Sequence, residues 1–183
     1  MRLATKKGVI VCHIMDDDMV RVDMGVLQLA PQQIAFDADT QQTMYPLSID
    51  GVPIEITVVG MGNPHAVYVV NDLEKASVAR LGKQIAEHKR FPEGANVEFV
   101  KIHDIDAIQL RVYERGVGET PACGSGACAA VVAGQLRGQL SNVVYVKQPG
   151  GKLKVEWNGP GEHLFMVGPA DMVFFGQWPH ASL

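Results

Sequence analysis

The segment CGSGACAAVVAGQLRG, residues 123–138, constrains this chain more than any other. Its residues are small and apolar nearly all round the early turns, so as a helix it has no face suited to water. Such a helix is stable only when the rest of the chain packs about it. Its glycines let neighbouring backbone come close. Most of the remaining sequence is written as short alternating strands, expected at residues 20–24, 67–70, 97–102, 107–113, 143–148, 152–157, 164–167 and 172–175. Residues 44–59 read as two more strands joined at Asp50-Gly51, a hairpin signal. In the segment 107–113, Ile108, Leu110 and Val112 point one way while Gln109, Arg111 and Tyr113 point the other. One ordinary amphipathic helix is expected to start near Asn71, where N-x-x-E ending at Glu74 has a capping-box pattern. Its apolar stripe is Val78, Leu81 and Ile85. The expected fold is α+β: a mostly antiparallel, β-barrel-like sheet wrapped around a central buried helix.

Composition narrows the function classes. At 183 residues the chain has the length of about one domain, and 47% hydrophobic residues argue for a folded core. The net charge of −4, with no basic tract, makes nucleic acid a poor partner. No apolar run approaches the length of a membrane span, and the run 9–15 is too short and too polar at His13 for a signal peptide. The three cysteines, Cys12, Cys123 and Cys128, do not form a disulfide framework or a zinc-like spacing. The expectation is a cytoplasmic protein with no metal site and no membrane partner.

The segment YERGVGETPACGSGACAA, residues 113–130, concentrates the chemistry. A strand ends in charge, a Gly-rich loop follows, and Cys123 opens the buried helix. The first turn of a helix offers unpaired N–H groups and the positive end of the dipole. A thiol there is expected to gain thiolate character relative to its ordinary pKa of about 8.5. The N–H groups of Gly124, Ser125 and Gly126 suit a carboxylate or phosphate. Base and anion clamp together suit proton removal beside a carboxylate. The competing reading makes Cys123 one more buried small residue, as Cys128 in mid-helix is expected to be.

Four stretches, GNPHAV (62–67), RFPEGANVEFV (90–100), RVYERGVGETPACGSGACAA (111–130) and PGGKLKVEW (149–157), are similar to those of the diaminopimelate epimerase family. These pyridoxal-independent enzymes have two similar lobes, each a β-barrel-like sheet around a central helix. A cysteine from each lobe works on opposite faces of the substrate, interconverting LL- and meso-diaminopimelate without a cofactor. The resemblance implies that Cys123 is the second-lobe catalytic cysteine. It implies that Gly124 and Ser125 hold the reacting α-carboxylate through their N–H groups. Asn63, Asn96, Glu114 and Arg115 resemble residues that recognise the distal end of the substrate, and His65 a histidine that supports thiol protonation. Each has a plainer alternative: a turn at Asn63, a strand-end cap at Asn96, a solvated Glu114–Arg115 pair and a structural His65.

The sequence departs from the family in its second thiol. Cys12, in VIVCHI, has no Gly-rich helix start after it and does not match the first-lobe cysteine. The expectation is therefore a single second-lobe unit over residues 1–183, with about 165–183 belonging to closing strands of the absent first lobe. Loss of one of two opposed acid/base groups makes the chain alone nearly inactive. A homodimer formed through the face that lobe would cover is a further expectation. The alternatives are another cofactor-independent racemase or isomerase of the superfamily, and a non-catalytic binding protein built on the surviving lobe.

Overall fold

The computed structural model describes residues 1–5, 8–16 and 19–177. Three strands come first: β1 (Arg2–Thr5), β2 (Gly8–Ile14) and β3 (Met19–Gly25). A single helical turn, α1 (Pro31–Ile34), precedes the hairpin of β4 (Tyr45–Ile49) and β5 (Val52–Gly60). Asp50 and Gly51 both have positive φ, 51° and 80°, as a two-residue turn matched to the strand twist requires. Next come β6 (Pro64–Val69), α2 (Val78–Ala86), β7 (Asn96–Asp104), β8 (Ala107–Glu114) and β9 (Gly118–Thr120). The chain continues with α3 (Gly124–Leu136), β10 (Val143–Gln148), β11 (Gly151–Trp157) and β12 (Leu164–Pro169).

Among the described residues the strands form one sheet in the order β1-β2-β3-β12-β11-β10-β8-β7-β6-β5-β4, with β9 paired to β8. Two pairs are parallel, β6 with β7 and β10 with β8. Each is joined through a helix, α2 in the first case and α3 in the second, because parallel neighbours need a crossover. The sheet therefore differs from the barrel-like wrap expected from the sequence. Its ends, β1 and β4, are not paired with each other, and only the isolated bridge Gln28–Gly60 spans from beyond β3 to β5. The physical reason is the second helix. With α2 against β7 and β8, this part of the sheet carries a core on each face.

Alternation along the strands assigns each face. Val59, Val67, Val100, Ile108, Leu110 and Val112 pack with Ala127–Ala133 of α3. Val58, Ala66, Val97 and Phe99 pack on the opposite side with Ile85 of α2 and Ile34 of α1. The small-residue helix is buried as expected: every residue from Gly126 to Gly134 is buried. Gly134 is needed there, because a Cβ at that position would run into Leu140.

Two sequence expectations fail locally. The outer helix starts at Val78, not near Asn71. Asp72 Oδ1 instead accepts the N–H groups of Glu74 and Lys75, a local side-chain turn that competes with helix. Residues 172–175 form no strand. Met172, Val173, Phe174 and Phe175 are exposed, and no described strand lies beside them to complete a ladder. Residues 178–183, part of the expected closing segment, lie outside the described residues.

Candidate active site

The same alternation that lines the α3 core sets up the site. On β6 His65 shares a face with Val67. On β7 Asn96 and Glu98 share a face with Val100, and on β8 Glu114 shares one with Val112. The register places His65 opposite Asn96 and Glu98 opposite Val112. These polar side chains therefore gather at one end of the strands, facing the start of α3.

Cys123 is the N-cap of α3, with φ −141° and ψ 116°. Its N–H donates to Gln148 Oε1 at 2.8 Å, and its carbonyl accepts from Ala127 N–H at 3.0 Å. Its Sγ lies 3.5 Å from Ser125 Oγ. Gly124 and Ser125 form the first helical positions, where N–H groups have no partner within the helix. Gly124 lies beneath Met166 of β12, whose Sδ is 3.0 Å from where a Cβ would sit.

The electrostatics run against the expected activation of the thiol. Burial pushes the Cys123 thiol above its ordinary value, and the charges of Glu98 and Glu114 push the same way. The hydroxyl of Ser125 and the N–H of Gly126 oppose them without winning. The helix start stabilises a thiolate, but here burial and two nearby carboxylates outweigh it. Cys128, wholly buried in mid-helix, is pushed up much further. Cys12 is buried on β2, with no helix start beside it.

The other expected residues are all held by neighbours. His65 is inaccessible; its Nδ1 lies 2.7 Å from Glu98 Oε1 and its Nε2 3.2 Å from Asn63 Oδ1. Asn96 Oδ1 accepts the N–H of Arg115 at 2.9 Å. Glu114 Oε1 accepts from Thr120 Oγ at 2.6 Å. The guanidinium of the exposed Arg115 donates to the carbonyl of Glu93 at 2.6 Å, so it does not pair with its neighbour Glu114. Asn63, His65, Asn96, Glu114, Cys123, Gly124 and Ser125 thus lie around the α3 start, with Arg115 at the margin.

Two residues of this cluster escaped the sequence reading. Glu98 is wholly buried against His65, and Gln148 anchors the Cys123 amide from the end of β10. The signal for Glu98 was a charge inside the otherwise apolar run NVEFV. Gln148 had none, since it is one polar residue at the end of an alternating strand. Beside the site, Ala122, Gly124, Gln148, Gly150, Gly151, Leu153 and Met166 line a cavity of about 310 Å³. Among the described residues no group of three or more His, Cys, Asp or Glu side chains is arranged for a metal ion, and no helix is long and apolar enough to cross a membrane.

The open mixed sheet packed on a buried helix is a fold shared with solved structures of other proteins. The fold matches a hydroxyproline epimerase from Agrobacterium vitis at a TM-score of 0.60 and 16% identity, over 92% of this chain and 56% of that one. It matches a methylitaconate-delta-isomerase at 0.55 and 12% identity, over 94% and 60%. The model of the family described as diaminopimelate epimerase matches residues 57–173. A diaminopimelate epimerase from Stutzerimonas stutzeri is 46% identical over 177 residues, as is one from Pseudomonas aeruginosa. The chain belongs to the diaminopimelate epimerase family. It spans 64% of the length of those relatives, while they match 97% of it.

Proposed function

We propose that this chain is the second lobe of a cofactor-independent diaminopimelate epimerase, in which Cys123 exchanges a proton with the α-carbon of the substrate. The observation that carries the reading is the thiol of Cys123 at the start of a buried helix, beside first-turn N–H groups able to hold a carboxylate. The α-carboxylate binds at Gly124 and Ser125, which leaves the α-carbon beside Sγ. There the N–H groups and the helix dipole stabilise the charge that grows as the proton leaves. Burial favours the thiol form of Cys123, so at rest it is poised to donate a proton.

Recognition of the distal end falls to Asn63, Asn96, Glu114 and Arg115. An ammonium is bound by the amide oxygens and the carboxylate, and a carboxylate by the guanidinium. Arg115 must leave the Glu93 carbonyl to do so, a small movement for an exposed side chain. Inversion needs a second acid/base group on the opposite face of the α-carbon. Cys128 lies in mid-helix within the α3 core and Cys12 lies on β2 with no helix start beside it, so neither supplies it. The chain by itself is therefore nearly inactive.

Incubation with LL-diaminopimelate in D₂O, following α-hydrogen exchange and meso product, tests this. Little or no meso product is expected, and robust turnover by the chain alone would sink the single-lobe reading. Calorimetry with diaminopimelate, proline and a phosphate compound tests the site: preference for proline or phosphate overturns the substrate assignment.

A further inference from the structure

The face of the sheet turned away from α3 holds positive charge that the described residues leave unanswered. Along β10, Val144, Val146 and Gln148 are buried, while Tyr145 and Lys147 point outward. The β10–β11 register sets Lys147 directly opposite Lys152, and Tyr145 opposite Lys154. Side chains directly opposite each other are about 5 Å apart at Cβ, and like charges there destabilise the pairing. Lys154 is neutralised by Glu156 at 2.8 Å, and Glu156 also takes Arg21 at 3.0 Å. Among the described residues no carboxylate pairs with Lys147 or Lys152. The chain as a whole has a net charge of −4, so this opposed pair is a local feature and not the general character of the surface. An anion from outside the chain would remove its cost.

The two lysines border a cavity of about 390 Å³. His103, Gln109 and Tyr145 complete its polar lining, with Ala107 below them and no Asp or Glu among the lining residues. His103 Nε2 lies 3.3 Å from Gln109 Oε1, so the ring donates to that oxygen and the amide N–H groups of Gln109 remain to bind a ligand. The register divides the lining into two rows. Gln109, Lys147 and Lys152 lie across neighbouring strands in one row, and Ala107 and Tyr145 lie in the next. The first row offers only hydrogen-bond donors, two of them charged. The second offers a methyl group and an aromatic ring that is 58% exposed. Rows on one face of a sheet are about 6–7 Å apart, roughly the distance from a phosphorus atom to the middle of a ring it is esterified to.

We propose that this cavity binds a small phosphate monoester whose organic part is a flat ring. The phosphate oxygens accept from the ammonium groups of Lys147 and Lys152 and from the Gln109 amide. The ring lies against Tyr145. The site is separate from the one at the start of α3. Lys147 and Gln148 are neighbours on β10 but face opposite sides, and Gln148 is the residue that holds the Cys123 amide. Lys152 also borders the cavity beside the α3 start, whereas Lys147 does not, so Lys147 distinguishes the two sites. The proposal does not depend on proton exchange at Cys123.

The test is calorimetric titration of the intact chain with phenyl phosphate, inorganic phosphate and phenol. Saturable binding of phenyl phosphate is expected, tighter than that of either fragment. Lys147→Gln should weaken it about tenfold through loss of one charge-assisted bond. Tyr145→Ala should weaken phenyl phosphate and leave inorganic phosphate unchanged. Absence of saturable binding, or full affinity in Lys147→Gln, overturns the proposal. A second measurement locates the ligand without substitution. Lysine acetylation mapped by peptide mass should show phenyl phosphate protecting Lys147 and Lys152 but not the exposed Lys75. Protection of Cys123 from alkylation with Lys147 unprotected would place the ligand at the α3 start and overturn the proposal. Without ligand, Lys147→Gln should be at least as stable as the parent, since it removes a like-charge pair. A clear loss of stability would give Lys147 a structural role and also overturn it.

Discussion

The N–H of Cys123 donates to the side-chain oxygen of Gln148 across 25 positions of sequence, at 2.8 Å. The bond ties the start of α3 to the end of β10, so the placing of the thiol depends on a strand that follows the helix. Gln148→Ala leaves the buried amide of Cys123 without its acceptor. A loss of about 1–3 kcal/mol in unfolding free energy is expected by urea denaturation. Cys123 alkylation should also quicken, as the helix start loosens. Unchanged stability with unchanged alkylation would show that the bond anchors nothing.

Gly126 keeps the space between Glu98 and Cys123 open. A methyl group there meets Glu98 Oε1 at 2.9 Å and Cys123 Cβ at 3.3 Å. Gly126→Ala should be destabilised by roughly 1–3 kcal/mol through overpacking, despite the better helix propensity of alanine. A thermal melt of the variant at or above the parent would contradict the close approach.

The two cysteines of α3 should differ in reactivity. Cys123 is 8% exposed and has a hydroxyl beside it, whereas Cys128 is wholly buried and its thiol is pushed up much further. Brief alkylation at mildly alkaline pH should label Cys123 before Cys128, as peptide mass mapping will show. Because burial raises the Cys123 thiol too, its labelling rate should still climb above the pH where a free thiol has levelled off. Faster modification of Cys128 would reject the geometry.

A fourth expectation concerns acid stability. Glu156 of β11 is held below its ordinary value near 4.5, first by its hydrogen bond to Lys154 and then by the one to Arg21 of β3. A carboxyl depressed in the folded state contributes stability above its unfolded pKa. That contribution is lost as pH falls through the folded pKa. The group is partly exposed, so the contribution is of order 0.5–1 kcal/mol. Glu156→Gln should therefore be less stable than the parent at neutral pH, and the two should converge as pH falls below the ordinary carboxyl range through the lowered folded pKa. Denaturation midpoints that differ equally at neutral and acid pH would refute it.

Much of the architecture was legible in residues close together in the chain. A helix made of alanine, glycine and valine on all sides had to be central, and α3 is. Alternation marked β4, β8, β10 and β11, and Asp50-Gly51 marked a turn. The loop before Cys123 marked a helix start with a thiol on it. Periodicity and turn chemistry are local properties, so a sequence states them directly.

What followed from pairing between distant strands was not written locally. The parallel β6–β7 register sets His65 and Glu98 on one face, and the β10 placement brings Gln148 to Cys123. The open sheet arises because α2 and α3 cover opposite faces, which no single segment specifies. The exposed run 172–175 had the pattern of a strand but no described partner to pair with. The direction of the Cys123 shift was decided in the same way. The helix start alone argues for a thiolate, but burial and the carboxylates of Glu98 and Glu114 reverse the balance. Desolvation and through-space charge depend on what folding brings near, and only the tertiary structure determines that.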